Sequence, residues 1–283
     1  MPELPEVEIT ARRLDAAMRG VVVESALAPG INALKTFDPP LHAIEGAAVT
    51  GVRRVGKHLV VDLAGDLALL VHLMSAGRLQ LFDKRASLRD RTSRLLVRLA
   101  DGNELRLREF GTRQRAWVKV LRAQDVADDD ALATLGPEAW PDPPPLRELL
   151  AAQGARPLHG VLRDQHVVAG IGRSWVDEIL WTAMLSPFKR ADDLTEEEAE
   201  TLREACVERL DGAIEHYERV VSLPIPDKLP MPLEVHRHHG EPCPRCGATI
   251  EAVHYEDYVM CYCPHDQTGG RVLKDRRLSR LLK

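Results

Sequence analysis

The hydrophobic pattern changes period three times along the chain. From Glu3 to Arg19 the apolar positions Leu4, Val7, Ala11, Leu14 and Met18 recur at spacings of three and four, which predicts an amphipathic helix. Pro5 falls in its first turn, where a missing N–H costs little, and Gly20 marks its end. From Val21 to Leu121 short runs rich in valine and leucine alternate with Gly and Asp breaks; His58–Leu63, Leu67–Leu73, Arg94–Leu99 and Ala116–Leu121 are examples. That pattern predicts several short strands folded as a sheet sandwich. The charged run Asp128–Asp130 and the prolines Pro141, Pro143, Pro144 and Pro145 read as an exposed linker.

Helical periodicity returns between Leu146 and Val221. Leu158–Val168 and Ser174–Leu185 flank a Gly170-Ile171-Gly172 break, and Glu196–Tyr217 reads as a longer helix. A Pro- and His-rich stretch, Ser222–Gly240, precedes a compact cysteine module, Cys243–Gln267, and a basic tail, Arg271–Lys283. The expected fold class is α+β in two lobes. Residues 1–122 form a β-sandwich domain, 123–145 a linker, 146–225 a helical domain, 240–268 a cysteine hairpin and 269–283 the tail.

A chain of 283 residues with 45% hydrophobic content has the length for one large or two modest domains with a real core. No stretch approaches the roughly 18–20 apolar residues of a membrane span, and the acidic start lacks a secretion signal. Five clustered cysteines are too few for a disulfide framework, so a reducing, cytoplasmic setting is expected. The net charge of −5 averages over opposite ends. Between Arg53 and Arg122 sixteen basic residues, mostly arginine, stand against seven acids. Guanidinium suits phosphate, so a polyanion partner is implied.

Three features carry candidate chemistry. Cys243-Pro-Arg-Cys246-Gly and Cys261-Tyr-Cys263-Pro-His265-Asp266 are paired clusters of the kind tetrahedral zinc requires. Cys243, Cys246 and Cys263 are firm; Cys261, His265 and Asp266 compete for the fourth position, and softness favours Cys261. The Gly170-Ile171-Gly172 break opens a helix N-terminus near Arg173 and Lys189, a phosphate-binding arrangement that is equally a common helix corner. At the start of the chain, removal of Met1 ahead of the small Pro2 exposes a secondary amine. Free α-amino groups titrate at roughly 7.7–8.0, so this one is partly unprotonated at working pH and able to attack an electrophilic carbon. Glu3 and Glu6 follow, placed for proton transfer.

Taken in order, these signals resemble the formamidopyrimidine-DNA glycosylase/endonuclease VIII family. The resemblance runs through Pro2-Glu3-Leu4-Pro5-Glu6-Val7-Glu8, Arg53-Arg54-Val55-Gly56-Lys57, Arg108-Glu109-Phe110-Gly111, Gly170-Ile171-Gly172 with Glu178, and the cysteine module. Leu4 leans toward the formamidopyrimidine branch. The resemblance implies a β-sandwich with an N-terminal helix, a helix–two-turn–helix domain and a zinc-finger hairpin holding one structural Zn2+. It implies a monomeric, nucleoid-associated enzyme acting on double-stranded DNA with a damaged base or abasic site, and no membrane partner. Pro2 would attack C1′ of the damaged nucleotide, Glu3 would shuttle protons, Glu6 would support that site and Lys57 would hold a phosphate. Phe110 would wedge into the base stack and Arg108 would fill the gap or read the opposite base, because a base inside a duplex must be flipped out to be reached.

The family pattern is altered at several positions. His72-Leu73-Met74-Ser75 shifts the gap-filling methionine to Met74, and Arg173 stands where the family has asparagine. Tyr258 occupies the place of the finger arginine, so Arg271 and the basic tail become the candidate phosphate contacts there, and Asp266 aligns with the last cysteine. Arg219–Pro232 is short and Pro-rich where the family carries a lesion-capping loop. The expected activity is a bifunctional glycosylase and abasic-site lyase for oxidised bases. The alternative is a non-catalytic DNA-structure-binding paralogue on the same frame.

Overall fold

The computed structural model describes residues 2–30, 32–87, 90–110, 113–256 and 258–273. The tail charges from Lys274 onward, Gly111 and Met1 therefore lie outside the described residues. Two compact units emerge: Met1–Thr134 with Ile214–Pro230, and Leu135–Ala213 with Met231–Lys283. None of the helices among the described residues is long and apolar enough to cross a membrane.

The first unit opens with α1 (Leu4–Met18), whose buried face is Leu4, Val7, Ala11, Leu14 and Met18. The strands β1 (Val23–Leu27), β2 (Val49–Val55), β3 (His58–Leu63), β4 (Leu67–His72), β5 (Gly77–Phe82), β6 (Ser93–Leu99), β7 (Glu104–Glu109) and β8 (Trp117–Arg122) follow. They form two antiparallel four-stranded sheets, ordered β1-β6-β7-β5 and β2-β3-β4-β8. Alternation turns Val61, Leu69, Val71 and Val118 of one sheet toward Leu79, Leu95, Val97, Leu105 and Leu107 of the other, with α1 closing the same core. Gly77 has no substitute in the β4–β5 turn, because a Cβ there would lie 2.3 Å from the Leu73 carbonyl oxygen.

The segment that follows the helical run is grouped with the sandwich. Helix α6 (Glu196–Val220) runs three residues past Tyr217, and its last turns together with 221–230 belong to the first unit. There Leu223 packs against the sandwich core. The Gln80 side-chain amide donates to the Ile225 carbonyl and to Asp227 Oδ1 (3.1 Å), and Arg78 Nε donates to the Asp227 carbonyl at 2.6 Å. The prolines mark a strap laid on the sheet, not a free linker.

The second unit carries α2 in none of its length, since α2 (Asp130–Ala133) closes the first; it holds α3 (Leu146–Ala151), α4 (Leu158–Val161), α5 (Arg173–Thr182) and most of α6. The helix expected over Leu158–Val168 stops at Val161. Asp164 and Gln165 divert the backbone: Asp164 Oδ1 accepts the His166 N–H (3.2 Å) and Gln165 Oε1 the Gly170 N–H (3.0 Å), while Gln165 Nε2 donates to the Ile171 carbonyl (2.8 Å). Such side-chain bonds compete with helical ones and fold 163–172 into turns. Helix α5 ends before Leu185 because Met184 turns to φ +55°. The finger is the hairpin β9 (Glu251–His254) and β10 (Val259–Tyr262), followed by α7 (Pro264–Thr268). It is joined to α5 through two buried acids. Glu178 accepts the N–H groups of Glu234, Val235 and His236 at 3.1, 2.9 and 2.8 Å, and Asp177 holds His159, His236 and the Cys261 N–H.

Candidate active site and DNA-binding residues

The N-terminal residues are arranged by hydrogen bonding at the start of α1. Glu3 and Glu6 are buried, whereas Pro2 is half-buried. Glu6 Oε2 accepts the Glu3 backbone N–H at 2.8 Å, which fixes the peptide next to Pro2. Glu6 Oε1 accepts the Tyr217 hydroxyl at 2.7 Å, a partner that no motif in the sequence marks.

Lys57 follows Gly56, whose φ of +57° makes the tight β2–β3 turn. Arg54, its side chain 5% exposed, fastens that turn to α1. Its Nε donates to Glu8 Oε2 and its Nη1 to the Gly56 carbonyl, both at 3.0 Å. The fragments Pro2–Glu8 and Arg53–Lys57 are thus joined by one buried guanidinium, and Lys57 itself is 7% exposed.

Beside Lys57, His58, His72 and Trp117 form one row across β3, β4 and β8, with ring centroids 4.5 Å apart for the histidine pair and 5.6 Å for His72 and Trp117. Met74, at φ +51°, donates its N–H to His72 Nδ1 at 3.2 Å, so its position is set by that ring. Burial lowers the His58 pKa to about 4 and the His72 pKa to about 3, with neighbouring positive charge adding to the effect. Both rings are therefore neutral in the fold.

A pH dependence follows. A histidine with a depressed folded pKa binds a proton first in the unfolded chain, so its stability contribution is lost as pH falls from about 6.5 toward the folded value. Between pH 7 and pH 5 each ring is expected to cost about 2 kcal/mol of stability. Urea unfolding at the two pH values checks this, and His58→Phe should flatten the difference by about half.

Arg108 is held by several partners at the end of β7. Strand alternation puts it on one face with Arg78, Gln80 and Phe82. Its Nε donates to Thr92 Oγ1 (3.2 Å) and its Nη1 to Gln80 Oε1 (3.1 Å), with Asp227 Oδ1 at 3.4 Å. Phe110, 36% exposed, lies with its ring centroid 4.7 Å from the same guanidinium. Arg113 and Arg115 are exposed, and with Ser75 and Glu109 they line a recess of about 220 Å3. Gln114 between them is anchored by Arg94 Nη1 (3.0 Å) and by the carbonyls of Arg91 and Glu109 (both 3.2 Å). The alternating Arg113-Gln114-Arg115 spacing was the available signal.

In the second unit, Arg173 opens α5 and is exposed, as the Gly-Ile-Gly reading expects. The Tyr258 ring has the Arg163 guanidinium at 4.2 Å and that of Arg173 at 5.2 Å. Tyr255 stacks on it at 4.4 Å and His159 at 5.8 Å. Arg163, unremarked in the sequence, has Nε and Nη1 buried without a hydrogen-bond partner. Arg271 is exposed beyond the end of α7.

The finger brings Cys243, Cys246, Cys263 and Asp266 together, one ligand atom from each lying within 4.8 Å of the others. The Cys246 and Cys263 sulfurs are 3.4 Å apart. Three thiols and a carboxylate oxygen converging in this way fit a tetrahedral metal. Cys261 is not among them, which corrects the choice made on softness. Its thiol lies in β10, where it accepts the Arg237 N–H at 3.3 Å and is pushed up to about 11 by burial, as an ordinary core thiol is. Asp266 reaches the cluster because the first turn of α7 returns it beneath Cys263.

A β-sandwich bearing Pro2, Glu3 and Glu6 at its helix start, a helix–two-turn–helix unit and a cysteine hairpin define a class: a DNA glycosylase of base excision repair, whose activity includes abasic-site cleavage. The chain belongs to the formamidopyrimidine-DNA glycosylase family: that family's N-terminal domain matches residues 1–114 and its H2TH domain residues 135–224. The formamidopyrimidine-DNA glycosylase of Pediococcus pentosaceus is 31% identical over 278 residues, covering 94% of this chain and 99% of its own. That of Moorella thermoacetica is 34% identical over 89% of this chain and 94% of its own. A formamidopyrimidine-DNA glycosylase-like protein of Mycobacterium tuberculosis is 40% identical over 150 residues, 53% of this chain and 94% of its own. Among solved structures, the Lactococcus lactis enzyme in complex with tetrahydrofuran-containing DNA and an inhibitor superposes with a TM-score of 0.84 at 27% identity, covering 94% of this chain and all of that one.

Proposed function

We propose that this protein excises an oxidised base from duplex DNA through Pro2 and then cuts the strand at the resulting abasic site. The observation that carries the reading is the buried Glu3–Glu6 pair next to Pro2, on a helix tied through Arg54 to the Lys57 turn. The Pro2 lone pair attacks C1′, the C1′–N bond breaks, and the departing base takes a proton from water. Opening of the deoxyribose, with Glu3 passing the Pro2 ammonium proton to O4′, leaves an iminium. Loss of a C2′ proton then expels the 3′ phosphate, and water returns the free amine. Glu6 holds the Glu3 peptide in place, and Lys57 binds a phosphate next to the reacting sugar. Solved Lactococcus lactis relatives bound to abasic-site and damaged-base DNA support this substrate class.

Arg113 and Arg115, together with Met74, take the place assigned by motif to Arg108, with Phe110 as a stacked support. Arg163 and Arg173 supply the phosphate-binding charge around Tyr258, and Arg271 adds to it. Arg163→Ala is expected to lower the slope of log K against log salt by about one unit for abasic duplex DNA. An unchanged slope in a salt titration would remove Arg163 from the interface.

Cys243, Cys246, Cys263 and Asp266 hold one Zn2+, which fixes the hairpin and supplies no chemistry to the reaction. Borohydride trapping on duplexes carrying oxidised purines, oxidised pyrimidines or abasic sites tests the whole reading: a covalent adduct is expected, and its absence on every substrate overturns it.

A further inference from the structure

We infer that Tyr217 is a positioning residue for the N-terminal nucleophile, acting through Glu6. The inference rests on the reading of Pro2 as that nucleophile. The Tyr217 side chain is fully buried, and its hydroxyl donates to Glu6 Oε1 at 2.7 Å while Glu6 Oε2 takes the Glu3 N–H at 2.8 Å. One carboxylate therefore joins the phenol to the peptide bond that carries Pro2. Both donors favour its charged form, and a charged acceptor makes each bond stronger than a neutral one would be.

The helix end bearing Tyr217 is itself clamped to α1. Glu218 pairs with Arg12 (3.1 Å) and Arg13 (2.7 Å), and Arg13 Nε donates to the Val221 carbonyl at 2.9 Å. These bonds hold the helix turn that follows Tyr217, at Glu218 and the Val221 carbonyl, so the phenol reaches Glu6 from a fixed backbone. Burial and the adjacent Glu6 and Glu3 carboxylates keep the hydroxyl protonated, so it serves only as a donor. The Arg78 guanidinium of β5 also interacts electrostatically with Glu6. Of these groups, only Tyr217 reaches Glu6 from a residue 211 positions away in sequence. A proton acceptor or nucleophile misplaced by about 1 Å costs on the order of a hundred-fold in rate, which is the scale on which such a support acts.

The test compares the full-length protein with Tyr217→Phe and with Tyr217→2,3-difluorotyrosine. The first removes the donor; the second keeps ring and donor and strengthens the bond. Single-turnover borohydride trapping is measured across pH at saturating abasic duplex, alongside affinity for a tetrahydrofuran duplex that cannot react. Tyr217→Phe is expected to slow trapping about ten- to hundred-fold with affinity within about two-fold. The acid limb of the pH profile should move in opposite senses in the two variants. A merely structural residue would change melting temperature without moving that limb in the difluorotyrosine protein, so this variant decides the matter even if Tyr217→Phe does not fold. Wild-type rate and an unmoved limb in the difluorotyrosine protein overturn the inference. Failure of the wild type itself to trap overturns instead the reading of Pro2.

Discussion

Pro2→Gln is expected to lose at least about a thousand-fold in Schiff-base trapping and strand cleavage while binding abasic duplex as the wild type does. Methionine is removed only ahead of small residues, so glutamine at position 2 keeps Met1 and moves the free amine outward by one residue, about 3.8 Å along the chain. The amine that remains is primary and displaced, whereas the reaction needs a lone pair at bonding distance from C1′. Glu6 still grips the Glu3 N–H in this variant, because that bond uses backbone that the substitution leaves alone. Lys57, Arg163 and Arg173, proposed to bind phosphate, are likewise untouched, so affinity is expected to separate from chemistry. Trapping gels with an abasic duplex, and gel-shift titration with its unreactive analogue, provide the two readouts. Retention of wild-type trapping would show that another amine forms the adduct.

The parts of this site that were legible in the sequence are those whose chemistry is local. The proposed nucleophile Pro2, the two glutamates and the start of the helix that begins on them lie within five positions, so one heptapeptide displays them together. The glycine that precedes Lys57 and the paired cysteines are similarly constrained by short-range geometry. Tyr217 was invisible because its role depends on a contact across 211 residues, and a tyrosine in a helical run reads as core. The strand setting of Arg108 went unread for a different reason. Arg-Glu-Phe-Gly reads as a loop motif, yet the alternation of Leu105 and Leu107 inward with Arg106 and Arg108 outward already marks a strand, on which Arg108 meets Phe82 and Gln80. Likewise Leu158–Val168 has helical periodicity, but Asp164 and Gln165 offer the backbone closer partners. Apolar spacing records which side chains are buried; it does not record which carbonyls and amides the polar side chains will take.

Cys246→Ser is expected to strip the finger of its metal and to weaken abasic-duplex binding by about ten-fold or more. The residue suits the test because it is the exposed member of the cluster, so the substitution removes a ligand without opening a cavity in the core. The hairpin is small: its apolar support is one group of Trp181, Val235, Ile250 and the cysteines, and a second of Val253, Met260 and Tyr262. A structural zinc contributes roughly 10–16 kcal/mol of binding free energy to modules of this size, far more than so few side chains supply. Purified wild type should contain about one zinc per chain by elemental analysis. Cys261→Ser should keep that zinc, because its thiol accepts the Arg237 N–H and stands outside the ligand set, whereas Asp266→Ala should lose most of it. The reverse order, with Cys261→Ser empty and Asp266→Ala loaded, would return the fourth position to Cys261. Loss of the finger also releases Tyr258, on which Arg163 and Arg173 are stacked. The fall in affinity should therefore be accompanied by a shallower salt dependence than in the wild type, since the two guanidiniums lose the platform that holds them toward phosphate.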